Sequence, residues 1–129
     1  MKIAVLVARI LLGLIFFVFG LNFFFHFIPQ PPPPGGPAGA FEGGLFGTGY
    51  FFQYMKVVEI VSGLFLLINR YTALFTVILF PISLNIFLFH TLLMPSGIPM
   101  GLAVLILNLF LGYAYRAYYT GMFTAKPTI

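Results

Sequence analysis

Residues 51–70 read FFQYMKVVEIVSGLFLLINR, an apolar run of membrane-spanning length that carries Lys56 and Glu59 inside it. On insertion scales a charged side chain at the bilayer centre costs about 2.5 to 3.5 kcal/mol, whereas each Leu, Ile, Phe or Val returns about 0.3 to 0.6. The two charges cancel most of what the apolar residues gain. Lys56 and Glu59 must therefore face other helices or water, and the segment is expected to belong to a bundle.

Composition supports that class. Of 129 residues, 61% are hydrophobic and 6% charged, with mean hydropathy +1.10, against roughly 25% charged in soluble domains. The chain reads as a single integral membrane domain, 1–129. Its net charge of +4 comes from six scattered Lys and Arg, a topology signal and not a nucleic-acid patch. The absence of cysteine excludes thiol redox chemistry, disulfides and thiolate metal sites for the chain by itself.

Outward from the central stretch, the sequence predicts an all-α, four-helix, up-down membrane bundle with spans at about 3–27, 50–68, 71–94 and 100–119. The first run is too long for a signal peptide and contains Arg9, so it is expected to be retained. Arg9, Gly13, Phe16 and Gly20 fall on one helical face, which should point inward and let a neighbour approach closely. Residues 28–49, IPQPPPPGGPAGAFEGGLFGTG, are expected to be a proline-rich outer loop. Pro31 to Pro34 favour an extended strut, and Phe41, Leu45 and Phe46, spaced for one face of a short helix, are expected to pack the remainder against the membrane surface or the bundle mouth as a cap. Pro81 is placed to kink the third span, with Ser83 and Asn85 near it to meet backbone or cross-helix partners.

An even span count puts both termini and the Asn69-Arg70 turn on one side. Lys2, Arg70, Arg116 and Lys126 gather there, while the proline loop and the Pro95 turn hold no Lys or Arg; the positive-inside rule then makes the termini cytoplasmic. Helical rise places Arg9, Glu59 and Asn108 in one layer, roughly 10 to 16 Å from the inner surface, where Arg9 and Glu59 are expected to pair and hold helix register. Asn22, His26, Asn85 and His90, with Lys56 slightly deeper, make an outer layer. These are the candidate ligand-binding residues, able to hydrogen-bond a quinone carbonyl or a carboxylate. Haem or metal is disfavoured, and a di-iron bundle is excluded because the chain has two acids, one of them in the loop. No nucleotide-binding or hydrolase motif is present.

The run ARILLGLIFFVFGLNFF from Ala8 and the run EIVSGLFLLINRYTAL from Glu59 resemble the DoxX family of small four-helix membrane proteins. So do Gly20 to Asn22, His26 to Pro29, and Asn85 to His90. The resemblance covers nearly the whole chain. Where the family often has a Lys shortly after the helix-one Gly, this sequence has Asn22 and Phe23 to Phe25. The resemblance implies a prokaryotic plasma-membrane protein, in some relatives a membrane subunit of a thiosulfate:quinone oxidoreductase and in others a partner of redox-stress enzymes. Three roles follow: a quinone-linked or small-ligand-binding membrane subunit of a redox system, a non-catalytic accessory subunit of a larger membrane complex, or a small transporter. Lipid and further membrane subunits or a redox partner are the expected partners.

Overall fold

A computed structural model describes residues 1–29 and 32–129. Gln30 and Pro31, where the proline strut was expected to begin, lie outside the described residues. Among those residues there are five α-helices and no strands: α1 (Lys2–Phe25), α2 (Gly36–Gly47), α3 (Phe51–Leu67), α4 (Thr72–Leu92) and α5 (Ile98–Ala114). Short 3-10 turns precede α5 (Pro95–Gly97) and follow it (Arg116–Phe123). The protein is an all-α membrane protein. α1, α4 and the segment Pro95–Ala114 are each long and apolar enough to cross a bilayer. α3 has 17 residues, about 26 Å at 1.5 Å per residue, against a hydrocarbon core of about 30 Å. It meets α2 at a bend of 89°, so the two together count as a broken fourth span or a re-entrant pair.

The four longest helices form a closed ring, α1 packing on α3 and α5, and α4 packing on the same two. Leu12, Phe16, Leu66, Leu79, Val104 and Leu111 fill its centre. The expected inward face of α1 is inward: Arg9, Gly13, Phe16 and Gly20 are all buried. Small residues bring α1 and α3 into backbone contact, since a Cβ at Gly63 would lie 2.7 Å from the Phe17 nitrogen and 2.8 Å from the Gly13 oxygen.

α4 runs unbroken through Pro81. The proline removes one ladder donor, and Asn108 of α5 braces the helix on either side of it. Its amide donates to the Thr76 carbonyl at 3.0 Å, and its oxygen accepts from the Ser83 hydroxyl at 2.6 Å. Ser83 thus has the cross-helix partner its position suggested, whereas Asn85 is exposed.

Within the 28–49 segment, the short helix expected around Phe41, Leu45 and Phe46 is present. Despite five glycines in twelve residues, Gly36–Gly47 is helical, with Pro37 in its first turn, where a missing N–H costs nothing. Aromatic anchors offset the glycine cost. Phe46 lies 4.4 Å from Phe52 of α3 and 6.1 Å from Phe23 of α1, centroid to centroid, and Phe41 lies 5.6 Å from Phe89 of α4. α2 therefore caps the end of the bundle opposite the termini. Glu42, expected in a solvated loop, is half-buried on this helix. At the other end the fourth long helix stops at Ala114, earlier than the expected Tyr119. The following turn is tied back by the Tyr119 hydroxyl, which donates to the Ala73 carbonyl at 2.8 Å.

Candidate functional site

The expected Arg9–Glu59 pair does not form. Arg9 Nη1 donates to the carbonyls of Leu66 and, at 3.1 Å, Leu67, capping the last turn of α3 where carbonyls lack helical partners and a cation is favoured. Glu59 instead meets Lys56 on its own helix, Nζ to Oε2 at 3.4 Å. Depth alone put Arg9 and Glu59 in one layer, but side chains lean toward the N-terminus of their helix. α1 and α3 are antiparallel, so Arg9 leans toward the terminus end and Glu59 away from it. Asn108, the third member of that layer, is buried and engaged with α4 as described.

Glu59 is 3% exposed and Lys56 21%, so the carboxylate is the buried partner and the ammonium the one nearer an opening. The contact is a charge contact without hydrogen-bond geometry at Oε2. Ser62, three residues on along the same face, is fully buried, its hydroxyl also without a partner among the described residues. Sequence reasoning passed over Ser62; its spacing from Glu59 was the available signal. Phe52, one turn before Lys56, belongs to the aromatic cluster under α2.

The outer-layer residues differ in burial and in partners. Asn22 is 1% exposed and its oxygen accepts from the Ile28 backbone N–H at 2.7 Å, holding the chain as it leaves α1. His26 ends that helix with φ 53° and is exposed. Asn85 is exposed as well. His90 is half-buried, its ring packed against Gly97 and Gly101, the former too close to admit any side chain, and its Nδ1 is buried without a partner among the described residues. Of the five candidates, Lys56 alone sits against a buried group of opposite charge. Among the described residues no three His, Cys, Asp or Glu approach as a metal set.

Two clefts open at the terminus end, away from the outer layer. One is lined by Lys2, Val5, Leu6, Arg9, Asn69 and Tyr115, and the other by Asn69, Tyr71, Thr72, Leu74, Tyr115 and Tyr118. Burial pushes the Tyr115 phenol above its ordinary value, an effect that the nearby Arg9 charge partly offsets. At neutral pH it is therefore an uncharged hydroxyl able to donate.

Neither a curated protein nor a solved structure matches the chain. A family model does: DoxX matches residues 4–92, from the first turn of α1 to the last residue of α4, and so includes Arg9, Lys56, Glu59 and Ser62. Over that span, more than half of its length, the chain is a member of the DoxX family.

Proposed function

We propose that the protein is a small-ligand-binding membrane subunit of a redox system, with Lys56 as the group that meets a quinone-type headgroup. The observation that carries this reading is the partly exposed ammonium held over a buried carboxylate beside the aromatic cluster of Phe23, Phe46 and Phe52. A cation there can donate to a carbonyl oxygen while the phenyl rings receive the apolar ring and tail. His90, its Nδ1 without a partner among the described residues, is a second polar group at this end of the bundle, and the exposed His26 contributes less.

Titrating the purified protein with a short-chain quinone and following tyrosine fluorescence tests this. Lys56→Met is expected to weaken binding about tenfold, the loss of one charge-assisted hydrogen bond, while His26→Phe changes it little. An unchanged affinity in Lys56→Met would remove the reading.

A second reading, the non-catalytic accessory subunit, is favoured by the internal use of Asn108, whose amide and oxygen are both bonded to α4 within the bundle. Absence of quinone binding, together with co-purification of other membrane subunits, would make it the better one.

For orientation, we propose cytoplasmic termini in a prokaryotic plasma membrane, on the strength of Lys2, Arg70, Arg116 and Lys126 at one end. Reporters active in only one compartment, fused after Ile129 and inserted at Gly36, are expected to give opposite signals. A cytoplasmic signal from Gly36 would reverse the assignment.

A further inference from the structure

Charge is divided unevenly between the two ends of the bundle. Lys2, Arg9, Arg70, Arg116 and Lys126 belong to the terminus end, whereas both acids lie elsewhere, Glu42 on α2 and Glu59 in the middle of α3. Within this basic end, the cleft between the start of α1, the α3–α4 turn and the end of α5 has a volume of about 290 Å³, at the small end for ligand sites and suited to a headgroup. Among the described residues no acidic side chain lines it.

Its polar wall is built for an oxyanion. Arg9 is 8% exposed and held in place by the α3 carbonyls through Nη1. Nε and Nη2 make no hydrogen bond among the described residues, which leaves a fixed guanidinium edge for a group in the cleft. Lys2 adds a mobile point charge, and the Asn69 amide and neutral Tyr115 hydroxyl add donors. Val5 and Leu6 lie between Lys2 and Arg9 on the same face of α1, and the exposed Val7, Leu11 and Leu14 beside them continue past Arg9, an apolar track suited to an acyl chain. A charged head and a greasy flank on one cleft at the end of a membrane bundle fit one kind of amphiphile.

We propose that this cleft binds the phosphate headgroup of an anionic phospholipid, with Arg9 and Lys2 on the phosphate and the acyl chains along α1. The site is separate from Lys56 and does not depend on the redox reading.

The test is reconstitution into nanodiscs of phosphatidylcholine with increasing phosphatidylglycerol, followed by native mass spectrometry of retained lipid and thermal unfolding. Phosphatidylglycerol is expected to be retained and to raise the melting temperature. Lys2→Gln should lower its retention about fivefold, the effect of one cation near an anionic headgroup. Tyr115→Phe should lower it more mildly, and Lys126→Gln, in the tail outside the cleft, should leave it at the wild-type value. Arg9 is left intact because it caps α3. Equal retention of phosphatidylcholine, wild-type behaviour of Lys2→Gln, or an equal loss in Lys126→Gln would each overturn the proposal, the last by reducing it to surface charge. Inorganic phosphate alone reproducing the stabilisation would overturn the lipid assignment in favour of a soluble anion.

Discussion

Gly63→Ala is expected to lower stability by about 3 kcal/mol, the upper end of ordinary overpacking. The added carbon would sit 2.7 Å from the Phe17 backbone nitrogen and 3.1 Å from its Cα, with the Gly13 oxygen at 2.8 Å. These neighbours are backbone atoms of another helix, so no rotamer change relieves the contact. α1 and α3 must separate along their length, and that loosens the Arg9 cap and the fit of Ile60 against Gly20. Gly112→Ala on α5 is the control, because nothing lies within 4 Å of the place its Cβ would take and alanine is the better helix former. Unfolding in a mild detergent, followed by circular dichroism against temperature, separates the two. Comparable melting temperatures for Gly63→Ala and Gly112→Ala would mean the helices are not in backbone contact.

Arg9→Met is expected to cost about 2 kcal/mol, the range for losing hydrogen bonds from a charged group. The Leu66 and Leu67 carbonyls both lose the guanidinium. Methionine fills similar space, so the loss reads the hydrogen bonds and charge more than the packing. Arg9→Lys should recover part of it, since the charge still opposes the α3 dipole while the planar fork is gone. Glu59→Gln supplies the comparison that separates capping from ion pairing. If Arg9 were held by Glu59, the two variants would lose similar stability and the double variant would lose no more than either. With Arg9 on the carbonyls, their effects should add within about 0.5 kcal/mol.

The strongest signals in the chain were those of period and composition. Long apolar runs, their lengths and the separating Pro-Gly segments were enough for an all-α membrane protein and for most helix positions, because hydrocarbon leaves the backbone few ways to satisfy its polar groups. The inward face of α1 was legible from Arg9, Gly13, Phe16 and Gly20 for the same reason: small and charged residues at helical spacing have nowhere stable to go but a helix interface. The cap over residues 41–46 was visible in its three large apolar side chains. So was a short helix there, from the spacing of those side chains, but its start at Gly36 was not, because local glycine content argues against a helix that contacts to Phe23, Phe52 and Phe89 sustain.

Pairing of polar groups was beyond the sequence. Depth along a helix is a one-dimensional measure, and it placed Arg9 beside Glu59. Which partner each side chain reaches depends on the antiparallel run of α1 and α3 and on the lean of each side chain toward its own N-terminus. Those directions send Arg9 to the end of α3 and turn Glu59 to Lys56. The same limit applies to the outer residues: period put Asn22, His26, Asn85 and His90 at one end of the bundle, but the burial of Asn22 and the exposure of His26 and Asn85 follow from rotation about each helix axis. That rotation is set by packing against neighbours distant in the chain. Composition and spacing therefore determined the class and the number of polar groups to be accommodated, and tertiary contact decided which of them meet.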